Sequence, residues 1–412
     1  MSTIATTTTS PLKFEGLKKN FRFATRPSKK VLTIFGTRPE VIKLAPVIHQ
    51  LESYNRVFET VNVTSAQHTD LLYPFIRLFD IRIDYDLRIM KPGQTPNLVC
   101  SRVMAALDVI MKRERPDIIV VQGDTTTALA GALAGFHYGI PVCHVEAGLR
   151  SNNPHSPYPE EMNRRLIGRL ATYHFAATQG NRNTLLAEGM EPQSVFVTGN
   201  PIVDSLKTIV ECAEASPVIE ELLTKTKGLK RIVLTTHRRE NFGEVMGANL
   251  HAIRRFVEEK DDVALIFPVH PNPAVLNSAL PILSGHPRIH LIEPLNYDQF
   301  IIMLSHAWLI LSDSGGVQEE APTLGKPLLI LRENTERPEV LESGIARLVG
   351  NCPQHLVAML KEAYQNESWA DRIGKIENPF GRGDSGQRIA HIIAEVLNEA
   401  NEAAESLLVS AG

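Results

Sequence analysis

Little in this chain is extreme, and its shortages are the first guide. Aromatic residues make up only 6% of 412 positions, and 43 Lys plus Arg nearly balance 46 Asp plus Glu, giving a net charge of −3. Nucleic-acid binding draws on a concentrated basic surface, so no nucleic-acid partner is expected. A membrane-spanning helix needs roughly 20 mainly apolar residues; the richest stretches, 128–136 and 300–311, are short or broken by Ser305 and His306. No membrane partner is expected either. The four cysteines, Cys100, Cys143, Cys212 and Cys352, lie far apart without C-x-x-C spacing. Neither a disulfide framework nor a zinc cage follows, and a reducing cytoplasm is the expected setting. H-E-x-x-H is absent, and no metal is expected. Also missing from the strand-helix junctions are G-x-G-x-x-G and the P-loop glycine pattern, so nicotinamide and nucleoside-triphosphate loops are excluded.

What is present is regular. Residues 1–30 carry a Thr run and a basic stretch against one acid, Glu15, and read as a disordered basic tail. From Val31 onward, short β-branched runs at 31–35, 57–64, 117–121, 141–145, 174–178 and 195–198 alternate with helical patterns at 39–51, 95–113, 125–138 and 159–173. Alternation of that kind implies a parallel, doubly wound sheet. A second series of strands follows at 231–236, 264–269, 289–292, 308–312 and 327–331, after a break at Gly199-Asn200-Pro201. The expected organisation is α/β with two Rossmann-like domains, 31–199 and 200–386, and a cleft between them. A final helix at about 387–408 has no strand after it and is expected to pack back on the first domain.

Parallel sheets bind ligands beyond the carboxyl ends of their strands, and the residues there are unusually polar. Asp313-Ser314-Gly315-Gly316 ends a strand and opens a helix, which suits either a phosphate at the helix N-terminus or a tight turn capped by Ser314. Arg38, before Pro39, sits at a similar junction, where a guanidinium can pair with phosphate oxygens or simply face solvent. Asp124, Glu146 and Glu160 fall at strand ends or helix starts. Asp124 could cap a helix and Glu160 could favour a helix dipole, but Glu146 lies at the mouth of a buried strand. His237 and His270 each end a strand; the first can donate to a phosphate or a leaving oxygen.

In order, GTRPEVIKLAP (36–46), VQGDTTT (121–127), HVEAGLR (144–150), PEEMNR (159–164), TGNPIVD (198–204), THRREN (236–241), HPNP (270–273), DSGGVQEEAPTLGKP (313–327) and TERPE (335–339) resemble the non-hydrolysing UDP-N-acetylglucosamine 2-epimerases. That resemblance implies the glycosyltransferase-B type of fold and homodimeric, cytoplasmic enzymes serving polysaccharide synthesis. Its reaction interconverts UDP-N-acetylglucosamine and UDP-N-acetylmannosamine without a dissociable cofactor, by anti elimination of UDP to 2-acetamidoglucal and re-addition. It implies catalytic roles for Asp124, Glu146, Glu160 and His237. It further implies substrate binding by Arg38, Lys43, Arg164, His270, Ser314, Gly315, Gly316 and Glu320. Regulated members hold a second substrate molecule near the positions of Gln67, Asp70 and Gly93; the last two lack the amide and guanidinium expected there, so that regulation is not expected. The rival readings are a UDP-sugar glycosyltransferase, an epimerase of a related UDP-2-acetamido sugar, a hydrolysing epimerase and a non-catalytic nucleotide-sugar sensor.

Overall fold

A computed structural model of the chain describes residues 28–67, 69–91, 93–238 and 241–410, so the tail expected at 1–30 lies outside it except for its last three residues. The chain divides into two compact units, 1–205 with 381–412 and 206–380. The division falls between Ser205 and Leu206, inside a helix, rather than at the Gly199-Asn200-Pro201 turn.

The first unit runs β1 (Lys29–Phe35), α1 (Arg38–Ser53), β2 (Phe58–Thr64), α2 (Thr69–Leu78), β3 (Tyr85–Asp86), α3 (Pro96–Glu114) and β4 (Ile118–Gln122). It continues with α4 (Thr126–Tyr138), β5 (Val142–Ala147), α5 (Glu160–Leu170), β6 (Tyr173–Ala176), α6 (Gln179–Ala187), β7 (Val195–Val197) and α7 (Ile202–Cys212). Its seven strands are parallel in the order β3-β2-β1-β4-β5-β6-β7. Leu32, Ile34, Ile119 and Val121 of the two central strands are fully buried against Val103, Leu107, Ala128 and Ala132 of α3 and α4.

β1 begins at Lys29, two residues inside the segment expected to be tail. Charge hid these residues from a hydrophobic pattern. Lys29 pairs with Asp117 at 3.1 Å and Lys30 with Glu114 at 2.9 Å and Glu59 at 3.0 Å, so long side chains reach acids at the sheet's amino end while the backbone joins the ladder.

The second unit runs α8 (Pro217–Lys225), β8 (Lys230–Thr235), α9 (Glu244–Glu259), β9 (Val263–Pro268), α10 (Pro273–Leu283), β10 (Ile289–Ile292), α11 (Tyr297–Ser305) and β11 (Leu309–Ser312). Then come α12 (Gly315–Thr323), β12 (Leu328–Ile330), α13 (Pro338–Glu342), β13 (Ala346–Leu348), α14 (Pro353–Tyr364) and α15 (Trp369–Arg372). Six parallel strands are ordered β10-β9-β8-β11-β12-β13 over a core that includes Leu234, Leu265, Phe267 and Leu311. The expected class, two Rossmann-like doubly wound α/β units, is therefore correct.

The last helix, α16 (Ser385–Ser410), returns to the first unit and packs on α1. Its first turn is held by Asp204, which accepts from the amides of Ser385 at 3.2 Å and Gly386 at 2.9 Å. Burial pushes the Asp204 carboxyl up to about 6 despite those bonds. A Cβ on Gly386 would stand 2.6 Å from the Pro46 carbonyl oxygen, so only glycine allows the helices this close. Pro46 lies inside α1 and has no N–H to give the Ile42 carbonyl. The buried hydroxyl of Ser205 donates to that carbonyl instead, at 2.5 Å.

Each strand order reverses once beside the first strand of its unit, between β1 and β4 and between β8 and β11. Loops leaving adjacent strands diverge at such points and open a ligand crevice.

Candidate active site

In the first unit, Thr37 ends the loop after β1 and precedes α1. Arg38 is exposed, its guanidinium 5.8 Å from the Phe75 ring centroid. Lys43, one turn further, is buried, and its Nζ sits 2.5 Å from Oε1 of Glu146. The other Glu146 oxygen accepts from Gln122 Nε2 at the end of β4. Glu146 has φ +65°, a left-handed conformation unfavourable to a residue with a Cβ, at the point where the β5–β6 register shifts. The irregularity turns a strand-end carboxylate toward Lys43 and Gln122, and strained backbone of this kind concentrates at functional sites.

Asp124 follows Gly123, where an added Cβ would lie 3.8 Å from Glu146 Oε2, so the two acids are neighbours. Thr125, not Asp124, caps α4, by accepting from Ala128 N at 3.0 Å. Asp124 is thereby released for another task. Arg164 Nε donates to its Oδ2 at 3.0 Å, Nη2 reaches the same oxygen, and Asn163 Nδ2 donates to its backbone carbonyl at 2.8 Å. Arg164 is itself buried and also pairs with the fully buried Glu161 at 3.2 Å. Burial raises the Glu161 pKa, but bonds from Ser151 N and Arg165 together with the charge of Arg164 more than offset this, leaving it lowered. Glu160 is the first residue of α5, half-buried, in the same turn that delivers Asn163 and Arg164 to Asp124.

His144 lies beneath this loop, fully buried, with Nε2 2.7 Å from the Gly123 carbonyl. Burial lowers its pKa to about 3, so the ring is neutral and Nε2 donates its proton to that oxygen. The ring anchors Gly123.

Glu40 is the least expected member. It is 1% exposed, and its Oε2 accepts from Gly36 N at 3.0 Å, Thr37 N at 2.8 Å and Thr37 Oγ1 at 2.8 Å. Its Oε1 accepts from Thr125 Oγ1 at 2.8 Å. Burial pushes its carboxyl up to about 7, with the hydrogen bonds pulling the other way.

In the second unit, the fully buried Asp313 shapes the loop after β8. Its carboxylate accepts from Thr236 Oγ1 at 2.7 Å, from the amides of His237 and Arg238 at 3.0 Å each, and from Asn241 Nδ2 at 3.0 Å. The His237 ring is thereby placed with Nδ1 3.5 Å from Asp313 Oδ1 and stacked on His270, centroids 5.4 Å apart. Arg238 Nε holds the Asp313 carbonyl at 3.0 Å.

The helix α12 starts at Gly315, and the Ser314 side chain makes no capping bond. The capping role open to Ser314 on sequence grounds is thus not taken up. A Cβ on Gly315 would meet Arg337 Nη1 at 3.1 Å and Arg238 Nη2 at 3.6 Å, so glycine leaves room for two guanidinium groups beside the helix N-terminus. Arg337 is oriented by Glu319 at 2.6 Å. Free helix amides, the helix dipole and two fixed cations form a site for a doubly charged anion. Glu320 is buried on the same helix, accepts from Tyr297 Oη at 2.9 Å, and would lie 3.6 Å from a Cβ on Gly316. Among the described residues, no group of three or more His, Cys, Asp or Glu is arranged to hold a metal. Nor is any of their helices long and apolar enough to cross a membrane.

Residues 50–394 match the family model described as UDP-N-acetylglucosamine 2-epimerase. The chain belongs to that family. A Bacillus subtilis UDP-N-acetylglucosamine 2-epimerase is 44% identical over 360 residues, covering 87% of this chain and 93% of that one. A Staphylococcus aureus MnaA–UDP structure is 41% identical with a TM-score of 0.81, covering 90% of this chain and 97% of the other. The Neisseria meningitidis UDP-GlcNAc 2-epimerase bound to UDP-GlcNAc is 39% identical with a TM-score of 0.81, covering 89% of this chain and all of the other. The chain is thus an epimerase-family enzyme of the isomerase class.

Within this epimerase the structure gathers Lys43, Asp124, Glu146 and Arg164 in one unit and His237, His270, Ser314, Gly315, Gly316 and Glu320 in the other. Sequence reasoning missed Arg238, Arg337, Glu40, Gln122 and Asp313 as organising residues. THRREN (236–241) gave no means of choosing between its two arginines, and Arg239 and Glu240 lie outside the described residues. The R-P-E order shared by 38–40 and 337–339 was the available signal for Arg337 and Glu40. Of the second-site positions, Gln67 accepts from Thr127 Oγ1 at 3.0 Å, Gly93 has φ +68°, and the Asp70 side chain lies outside the described residues.

Proposed function

We propose that this epimerase interconverts UDP-N-acetylglucosamine and UDP-N-acetylmannosamine, eliminating UDP across carbons 1 and 2 and adding it back with the carbon-2 proton on the other face. The observation that carries the reading is the pair of guanidinium groups beside Gly315 at the start of α12, a cradle for a diphosphate that gains charge as it leaves. The Bacillus subtilis relative's name and the UDP-GlcNAc bound to the Neisseria relative support the substrate.

The carbon-2 hydrogen has no neighbouring ketone, so removing it alone would leave an unstabilised carbanion. Departure of UDP from carbon 1 as the proton leaves carbon 2 gives the neutral 2-acetamidoglucal, and the pair of electrons from the C–O bond goes with the diphosphate. Reversal restores both bonds, so the cycle balances without an oxidant or reductant. In this reading the second unit is the nucleotide-binding one: Arg38, Arg238, Arg337, Ser314, Gly315 and Gly316 serve the phosphates, with Arg38 contributed by the first unit, and Glu320 serves the ribose. His237, held by Asp313 and stacked on His270, assists the leaving oxygen. Glu146, paired with Lys43, and Asp124, paired with Arg164, handle protons on the sugar together with Glu160. We further propose a cytoplasmic homodimer that supplies an activated amino sugar for polysaccharide synthesis. The unpaired state of Cys100, Cys143, Cys212 and Cys352 supports the compartment, and exposed Val109, Phe136 and Leu166 on the neighbouring helices α3, α4 and α5 support the dimer.

The test is incubation with UDP-N-acetylglucosamine in deuterated water, followed by proton NMR. Appearance of the manno isomer with deuterium at carbon 2 is expected. Substrate binding without exchange, or UDP release only when a sugar acceptor is added, would overturn the reading.

A further inference from the structure

The search for groups the mechanism leaves unused returns to Glu40. As the third residue of α1 it completes a capping box with Thr37, and a carboxylate in that role usually stands in solvent. Here it is 1% exposed, and one of its oxygens serves no purpose in capping α1. That oxygen accepts from Thr125, 85 residues away, whose hydroxyl oxygen in turn caps α4. The two ends of the carboxylate thus join the loops leaving β1 and β4, the strands between which the sheet order reverses.

Asp124 precedes Thr125 directly. From one side it is held by Asn163 and Arg164 of α5. From the other, the link runs through Thr125 to Glu40 and so to Thr37, the neighbour of Arg38. We infer that Glu40 is a positioning residue for the reaction, fixing the β1 and β4 loops against each other so that Asp124 and Arg38 keep a productive placement. It touches no substrate. Its partners are two hydroxyls and two backbone amides, so the tie depends on hydrogen bonds and not on a counter-charge. Glutamine fits the same frame: its oxygen replaces Oε2, and its amide donates to Thr125 Oγ1.

The inference rests on the epimerase reading, and the experiment separates the two. Wild-type protein is assayed first for conversion of UDP-N-acetylglucosamine in deuterated water; inactivity there counts against the reading itself. With active wild type, the full-length variants Glu40→Ala, Glu40→Gln and Thr125→Val are compared for kcat and KM per folded molecule. A displacement of about 1 Å at a reacting group can cost roughly 10²-fold in rate. Glu40→Ala should lower kcat about 10–100-fold with KM and UDP affinity within about threefold, and Glu40→Gln should recover most of the loss. Should Glu40→Ala fail to fold, Thr125→Val leaves the Glu40 bonds to Gly36 and Thr37 in place and should show the same selective loss of kcat. Folded Glu40→Ala or Thr125→Val with wild-type kcat overturns the inference, as does a loss that Glu40→Gln does not relieve.

Discussion

Glu40 also gives the clearest pH signature. Burial holds its folded-state pKa at about 7, above the ordinary carboxylate value of 4.5, so between those values the folded protein keeps a proton that the unfolded chain has released. Its contribution to stability is fully present below about pH 4.5 and lost as the pH rises to about 7. Urea unfolding at several pH values should show wild-type stability falling across that window relative to Glu40→Gln, by on the order of 2–3 kcal/mol. A flat difference would mean the carboxyl titrates normally. Arg164→Ala would leave Asp124 and the buried Glu161 without their shared cation. Breaking a buried pair from one side costs about 3–5 kcal/mol, so both a lower melting temperature and a kcat reduced by roughly 10² are expected, with lysine a poor substitute for the fork. In the second unit, Arg337→Ala removes a charged donor, worth about 1.5–3 kcal/mol. UDP binding by calorimetry should weaken about 10–100-fold. The acids and His237 were legible because each stands at a strand end or helix start, positions that short β-branched runs reveal. Arg238, Arg337 and Glu40 were not, because their significance comes from partners such as Gly315 and Thr125 that only folding brings near.

At the level of elements, Pro46 poses a problem that Ser205 solves. A proline within α1 leaves the Ile42 carbonyl without its usual donor, and the Ser205 hydroxyl supplies one at 2.5 Å. Ser205→Ala should therefore destabilise the first unit by about 1–3 kcal/mol, measured as a lower denaturation midpoint with kcat little changed. An unaltered midpoint would show that water or a shifted helix replaces the hydroxyl. The central strands and long helices were readable from periodicity alone. β3 (Tyr85–Asp86) and β13 (Ala346–Leu348), at sheet edges, were not, since two or three residues cannot show an alternation. The start of β1 was hidden for a different reason, because Lys29 and Lys30 enter the ladder while their side chains find acids on other segments. The return of α16 to α1 could be expected from its lack of a following strand. The glycine that permits the contact, Gly386, could not be picked out before the Pro46 carbonyl was seen against it.

For the whole molecule, two parallel sheets each place polar loops at a point of reversal, and the two sets differ in chemistry. The first offers carboxylates paired with Lys43 and Arg164; the second offers a helix N-terminus with Arg238 and Arg337. Family membership explains why both occur in one chain, and the chemistry explains why both are needed: a proton must leave carbon 2 while a diphosphate leaves carbon 1. The most direct measurement uses UDP-N-acetylglucosamine carrying ¹⁸O in the bridge between carbon 1 and the β-phosphorus, followed by ³¹P NMR as the epimer forms. Cleavage of the C–O bond lets the β-phosphate rotate, so the account predicts that label moves from the bridge into non-bridging positions. Formation of the epimer with all label still in the bridge would contradict it.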